Sequence, residues 1–258
     1  MPVITLTTDF GSESFYVAAI KGSLHRLIPN VHIVDLSNQI APFDVAQAAF
    51  LIRNSYPSFP AKTIHLIGID MDVNIYGQYL AVEKDGQFFI GADNGIFALV
   101  FDQEPEKVYR ITHFFESKTD AFSGKNVFAN AAAMLSQNWD INAIGEPARI
   151  KNFKENFQPM VDANSIRGHV VHIDHFKNVL TNISEQLFTK IARGRRFSIR
   201  FRRTEELDRI SSDYSDVEPG ERLCIFGETG FLEIAINRGE AAQLLGLRTG
   251  SVIIIEFL

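Results

Sequence analysis

The chain has 258 residues, of which 46% are hydrophobic, so it can bury one large core or two modest ones. A net charge of −6 excludes the broad basic surface that non-specific nucleic-acid binding requires, and we therefore expect a small-molecule ligand rather than a nucleic acid. The single cysteine, Cys224, excludes an internal disulfide.

The amino terminus has neither a basic start nor the apolar core of a signal peptide. No apolar run in the chain is long enough to span a bilayer. We therefore expect a cytoplasmic protein without a membrane partner.

The first half of the chain alternates between strand and helix patterns. Asp85-Gly86 joins two of the apolar runs and predicts a hairpin. Strands that alternate with helices predict an α/β domain with a mainly parallel sheet. The expected elements are strands at 3–7, 31–36, 63–69, 79–83 and 87–91, and helices at 15–28, 44–56 and 128–135.

The second half is rich in short strands with turn signals between them, which predicts a smaller all-β barrel. Between the halves the sequence is polar, contains prolines and asparagines, and shows no clear periodicity. We expect an α/β domain at 1–150, a linker at 151–165 and the β-barrel domain at 166–258.

Polar residues gather in four loops at or near predicted strand ends, where open α/β sheets bind ligands. Each signal is weak alone, since Asp9 could equally cap a helix and Asp93-Asn94-Gly95 could equally form a tight turn. Asp70 and Asp72 lack the spacing of a calcium loop, and we expect no metal. The four loops are 8–11, 70–74, 93–95 and 122–126.

Several segments spread along the chain form a recognisable ordered set, and they include Thr5 to Gly11, Ile33 to Leu36, Asp93 to Gly95, Phe128 to Ala133, Ile173 to Ile183, Tyr214 to Val217 and Gly230 to Ala235. Taken in order, these segments resemble the S-adenosyl-L-methionine (SAM) hydroxide adenosyltransferase family, whose relatives include the fluorinases. The resemblance implies an α/β domain, a β-barrel domain and a homotrimer with the adenosyl site between the first domain of one subunit and the second domain of its neighbour. SAM would be the substrate, with no cofactor.

The resemblance also implies roles for single residues. Asp9 matches the carboxylate that accepts both ribose hydroxyls, and Phe43 matches an aromatic residue that faces the sulfonium, where a ring favours a cation. Asn178 matches an amide that reads the adenosyl group, and Tyr214 matches an aromatic residue at the adenine. The remaining residues assigned to substrate binding by their matched segments are Asn94, Glu228 and Asn237.

The catalytic segments depart from the family pattern. Hydrolase members carry an aspartate, an arginine and a histidine that position and activate water. Here Asp70 keeps the aspartate, while Gly77 and Ser123 stand at the arginine and histidine positions. A glycine supplies no cation, and a serine is no base near neutral pH without an activating partner.

Two compensations are open: Lys125 could lend a positive charge, and Asp72 could join Asp70 in orienting water. The family position of Lys125 is itself basic, so inheritance explains this lysine equally well. The chain lacks both the long insertion of the halogenases and their serine at the Gly124 position, which argues against halide use.

The leading hypothesis is therefore a hydrolase that converts SAM into adenosine and methionine, with a water site built from Asp70, Asp72, Ser123 and Lys125. The alternative is a descendant that binds SAM or adenosine without turning it over. A changed substrate is the third reading, because larger residues replace small ones beside the nucleophile position. These larger residues are Met71, Asp72, Asn74 and Tyr76.

Overall fold

The computed structural model describes residues 1–72, 77–113, 124–150, 158–202 and 205–258. The chain divides into two compact units, Met1–Lys154 and Glu155–Leu258. Within the described ranges, no helix is long and apolar enough to cross a membrane.

The first unit is an α/β structure, as expected. Its two principal helices begin at side-chain caps, with Ser14 accepting from Tyr16 N and Asp44 accepting from Gln47 N. In chain order the elements are β1 (Val3–Thr8), α1 (Phe15–Leu27), β2 (His32–Ser37), α2 (Val45–Ser55), β3 (Ile64–Gly68), β4 (Tyr79–Lys84), β5 (Gln87–Ala92), α3 (Ile96–Val100), β6 (Lys107–Ile111), α4 (Ala129–Asn138) and β7 (Gly145–Pro147).

The described strands of this unit form one sheet in the order β2-β1-β3-β5-β4-β6-β7. The four strands β2, β1, β3 and β5 are parallel, whereas β4, β6 and β7 join antiparallel. The sheet is therefore mixed, and the expectation of a mainly parallel sheet is corrected. The antiparallel hairpin at Asp85 and Gly86, which both have positive φ, agrees with the expectation, but the further antiparallel strands β6 and β7 were not expected.

Helices cover both faces of this sheet. On one face, α1 and the alanine-rich α4 pack against Ile4, Leu6 and Leu66. On the other face, α2 and α3 pack against Ile67 and Leu80. Successive strand residues point to opposite faces, so each strand contributes to both cores.

A buried polar chain runs across the parallel strands inside this unit. Thr5 Oγ1 lies 2.7 Å from His65 Nδ1, and His65 Nε2 lies 2.8 Å from Gln87 Oε1. Burial lowers the pKa of His65 to about 4, although the hydrogen bond to Gln87 acts in the opposite direction. The imidazole is therefore neutral in the folded protein at neutral pH.

The second unit is a strand-rich domain. In chain order its elements are β8 (Met160–Val161), β9 (Ser165–Ile173), β10 (Val179–Ser184), α5 (Glu185–Ala192), β11 (Phe197–Arg202), β12 (Glu205–Leu207), β13 (Arg222–Phe226), β14 (Phe231–Ile236), α6 (Ala241–Leu244) and β15 (Val252–Phe257). The strand β8 lies within the segment expected to be linker, of which residues 151–157 are outside the described ranges.

These strands pair antiparallel in the order β12-β11-β15-β9-β10-β14-β13, with β8 beside β9, and form a nearly closed, barrel-like sheet. The long strand β9 pairs with β15 along its first part and with β10 along its second. Gly168 lies near the change of partner, where a Cβ would lie 2.5 Å from Ile183. Only a glycine fits this close approach, which lets the sheet curl around its core.

Candidate functional site

Asp9 follows β1 directly and is the centre of the first unit's candidate site. Its Oδ2 accepts a hydrogen bond from the backbone N–H of Phe43 at 3.0 Å and from that of Asp70 at 3.4 Å. One carboxylate oxygen thus joins the loops after β1, before α2 and after β3. The prediction that polar loops meet at the carboxyl edge of the sheet agrees with this geometry.

The two loop residues that donate to Asp9 have unusual backbones. Phe43 has φ 65° and Asp70 has φ 42°, in the left-handed region that non-glycine residues rarely adopt. Such a conformation costs on the order of 1–3 kcal/mol and persists only where the surroundings hold it. The carboxylate of Asp9 accepts a hydrogen bond from each of these two residues, so the strained backbones and their acceptor form one arrangement.

The ring of Phe43 projects from this arrangement and is 71% exposed. The loop after β1 is fixed from its other side by Asn38, whose Oδ1 accepts from Thr8 Oγ1 at 2.9 Å and whose carbonyl accepts from Gly11 N at 2.8 Å. A large exposed apolar ring on a well-fixed loop is typical of a ligand contact.

Asn94 uses both ends of its amide on the backbone. Its Nδ2 donates to the carbonyl of Ile69 at 2.9 Å, and its Oδ1 accepts from Ile96 N at 3.2 Å. The side chain therefore ties the end of β5 to the end of β3. The neighbouring Asp93 is buried and accepts from Gln78 Nε2 at 2.6 Å.

The residues expected to hold water are only partly described. Asp70 is half-buried and Asp72 is exposed, and the carbonyl of the intervening Met71 accepts from Tyr79 Oη at 2.8 Å. Ser123 lies outside the described residues, as do Asn74 and Tyr76, and the side chain of Lys125 is also not described. Gly77 is exposed and has φ 81°.

The segment that carries Lys125 forms a π-helix, Gly124–Phe128, which leads into α4. The ring of Phe128 meets that of Tyr79 edge-to-face at 5.0 Å, which fixes the segment beside β4. Single turns of π-helix are frequent at functional sites.

In the second unit, Asn178 and Asp174 close the turn between β9 and β10. The carboxylate of Asp174 accepts from Asn178 N at 2.7 Å and from Asn178 Nδ2 at 3.1 Å. Asn178 is buried, with 8% of its surface exposed. Because its Nδ2 is held by Asp174, the amide has a defined orientation.

Tyr214 donates its hydroxyl to Glu233 Oε1 in a short hydrogen bond. Burial, together with this bond and the charge of Glu233, raises the pKa of Tyr214, so its hydroxyl remains a donor. Burial also raises the pKa of Glu233, the bond from Tyr214 lowers it, and the charge of Asp174 raises it further.

The other two predicted residues of this unit differ in their surroundings. Asn237 donates from Nδ2 to the carbonyl of Val217 at 2.7 Å, close to the segment of Tyr214. Glu228 is exposed on the turn between β13 and β14.

Glu233 and Asp174 were not among the predicted site residues. A signal for Glu233 exists, because it is the one charged residue of the otherwise apolar strand β14 and is only 7% exposed. A buried carboxylate requires a partner, and a search for one would have led to a hydroxyl or a cation. Among the described residues, no group of three or more His, Cys, Asp or Glu side chains could hold a metal ion.

The chain is similar to several known proteins along nearly its whole length. The chain is 29% identical over 256 residues to a protein named (R)-S-adenosyl-L-methionine hydrolase from Salinispora tropica, covering 96% of this chain and 95% of that one. It is 27% identical to one of the same name from Methanocaldococcus jannaschii, with 96% and 93% covered. A fluorinase from Nocardia brasiliensis is 23% identical over 284 residues, with 96% and 95% covered.

A solved structure shares the fold. It is an uncharacterised conserved protein from Thermotoga maritima, with a TM-score of 0.87 and 28% identity, covering 98% of this chain and 99% of that one. The family model of the SAM hydroxide adenosyltransferase N-terminal domain matches residues 4–145, and that of the C-terminal domain matches residues 168–254. These two models together span most of the sequence, and the chain belongs to the SAM hydroxide adenosyltransferase family.

Proposed function

We propose that the protein hydrolyses SAM to adenosine and L-methionine. The observation that carries the proposal is the Asp9 carboxylate, which joins three loops and two strained backbones at the edge of the sheet. Family membership and the names of the similar proteins point in the same direction.

In this proposal, the two oxygens of Asp9 have different tasks. Oδ2 is occupied by the backbone N–H groups of Phe43 and Asp70. Within the described ranges, Oδ1 accepts no hydrogen bond, so it can accept from the ribose hydroxyls of an adenosyl ligand. Since the strained loops depend on the same carboxylate, the diol is bound by a group that is already fixed.

The reaction needs a water oxygen in line with the carbon–sulfur bond. The water oxygen bonds to the ribose 5′ carbon, the carbon–sulfur bond breaks, and its electron pair leaves with methionine as a neutral thioether. The water proton passes to a carboxylate or to solvent. We assign the orientation of this water to Asp70, with Asp72, Ser123 and Lys125 as further candidates.

Phe43 is assigned to the sulfonium end, where the face of its exposed ring would attract the positive charge. Asn178 and Tyr214 are assigned to the adenosyl group, with Asn94, Asn237 and Glu228 near the pocket. We further propose a homotrimer in which a site combines the two kinds of unit from neighbouring subunits. Analytical ultracentrifugation tests this point, since a monomer that retains activity would contradict it.

The experiment that tests the function incubates purified protein with SAM and separates the products by chromatography. Adenosine and methionine should form in equal amounts. Asp9→Ala and Asp70→Ala should both abolish the products, whereas Glu104→Ala should not, because Glu104 is an exposed carboxylate of the same unit with no described contact. Adenosine formation at the wild-type rate in Asp70→Ala would contradict the water assignment.

A second candidate is a protein that binds an adenosyl compound without turnover. Gly77 favours it, because an exposed glycine with φ 81° stands where the hydrolases carry an arginine. Calorimetry with SAM and adenosine separates the two candidates. Binding without products supports the second, and binding with products excludes it.

A further inference from the structure

Glu233 occupies the outer face of β14. Its neighbours Leu232 and Ile234 point into the core of the second unit, whereas Glu233 and Ala235 point to the opposite face. On that face Ala235 packs with Leu223, Ile225 and Val217 in a small apolar cluster. A carboxylate that is 7% exposed beside such a cluster is costly unless it is hydrogen-bonded.

The partner of Glu233 comes from a segment that is fixed at both ends. Asp213 caps the short 3-10 helix Tyr214–Asp216, and the side chain of Asp216 in turn accepts a hydrogen bond from the backbone N–H of Asp213. At the other end, Asn237 Nδ2 holds the carbonyl of Val217 at 2.7 Å. The backbone of Tyr214 therefore has little freedom.

With the backbone fixed, the hydroxyl contact decides where the tyrosine ring points. The Tyr214 side chain has two rotatable bonds, and its bond to Glu233 restricts both. The ring is nevertheless 39% exposed. The bond to Glu233 therefore fixes one orientation of a side chain that remains partly accessible to a ligand.

We propose that Glu233 is a positioning residue, which holds the ring of Tyr214 in the orientation required to stack on the adenine of the ligand. This inference rests on the proposed adenosyl ligand. Stacking depends on the angle and offset of two rings. A ring that is already oriented avoids part of the entropy cost of binding.

The experiment measures the Kd of adenosine by calorimetry, and KM and kcat for SAM, in Tyr214→Phe, Glu233→Ala, Glu233→Gln and the double variant Tyr214→Phe/Glu233→Ala. Tyr214→Phe keeps the ring but loses the hydrogen bond to Glu233, so Kd and KM should rise about fivefold while kcat changes less than twofold. Glu233→Ala should have the same effect. Glu233→Gln keeps an acceptor oxygen and should recover most of the lost affinity.

The double variant should bind no more weakly than either single variant, because both remove the same contact. Tyr56→Phe is the matched control, since Tyr56 Oη also donates to a carboxylate, at 3.0 Å from Asp85 Oδ2, but in the first unit. Its Kd and KM should equal those of the wild type. Thermal unfolding of every variant separates lost affinity from lost folding.

Additive effects in the double variant, or a wild-type Kd in Tyr214→Phe, would overturn the inference and leave the proposed function intact. If wild-type protein binds no adenosyl compound and forms no adenosine, the proposed function fails and the inference fails with it.

Discussion

The two units use a carboxylate in opposite ways. In the first unit, Asp9 holds strained backbone, and its partners are the N–H groups of Phe43 and Asp70. In the second unit, Glu233 holds a side chain, and its partner is the hydroxyl of Tyr214 on a capped segment. The first arrangement holds two loops in costly backbone conformations. The second buries a carboxylate, at a cost in desolvation, and thereby orients a ring. In the first unit, activity should therefore be sensitive to any change of the Asp9 carboxylate, whereas in the second unit the orientation of the ring should be sensitive only to loss of the acceptor.

The largest effect is expected from Asp9→Ala, which removes both the proposed diol acceptor and the backbone anchor. We expect kcat/KM to fall by about a thousandfold, and the free energy of unfolding to fall by about 1–3 kcal/mol because two N–H groups lose their acceptor. Steady-state kinetics and urea unfolding measure the two effects.

Asp9→Asn supplies the matched variant, since its amide oxygen still accepts from the two N–H groups. Most of the stability should return, but activity should stay low because the charge is gone. Full stability in Asp9→Ala would show that the strained loops do not depend on this carboxylate.

The pH dependence of stability should separate the two units. The folded pKa of His65 is lowered, so below about pH 6.5 the unfolded state binds more protons and the first unit loses stability, by up to about 1.4 kcal/mol per pH unit until about pH 4. The folded pKa of Glu233 is raised, so its own contribution to the stability of the second unit grows as the pH falls, whereas the lowered pKa of the half-buried His172 acts in the opposite direction.

Amide hydrogen exchange between pH 7 and pH 4.5 can follow both units in one sample. His65→Gln should flatten the response of the first unit, and Glu233→Gln that of the second. His25→Gln is the control, because His25 is exposed on α1. A response of the second unit that Glu233→Gln leaves unchanged would contradict the sign assigned to Glu233.

A smaller effect tests the strain directly. Phe43→Gly and Phe43→Ala both remove the ring, but only glycine relaxes at φ 65°. The glycine variant should therefore be more stable than the alanine variant by about 1 kcal/mol. Urea midpoints at an unchanged m-value give the difference.

Phe15 provides the comparison, because its ring is equally exposed but it begins helix α1. There the order should reverse, and the free energy of unfolding of Phe15→Ala should exceed that of Phe15→Gly by up to about 1 kcal/mol. If the alanine variant were more stable than the glycine variant at position 43 as well as at position 15, the backbone of Phe43 would not be strained.

The sequence predicted most elements of the first unit, because apolar runs and capping residues such as Ser14 and Asp44 are local signals. The antiparallel half of the sheet was harder to predict from the sequence. Strand β6 carries the exposed residues Lys107 and Arg110, which form ion pairs with Glu83 and Glu146, and its pattern is too polar to identify a strand.

The contacts of the candidate site could not be predicted from the sequence. Asp9 was found from its place after a strand and from the resemblance, yet its bonds join residues 34 and 61 positions away. No local pattern gives such partners. Glu233 was missed for the same reason, since its partner Tyr214 lies 19 residues away and their meeting depends on how β14 pairs in the barrel.

The left-handed backbone of Gly77 also bears on how this lineage can change in future. A mutation that placed an arginine at this position would cost about 1–2 kcal/mol in backbone conformation before any benefit of its charge was felt. Selection would have to accept a less stable intermediate or alter the loop first. A cation is therefore harder to gain at this position than the glycine is to keep, and relatives that descend from this chain should retain the glycine.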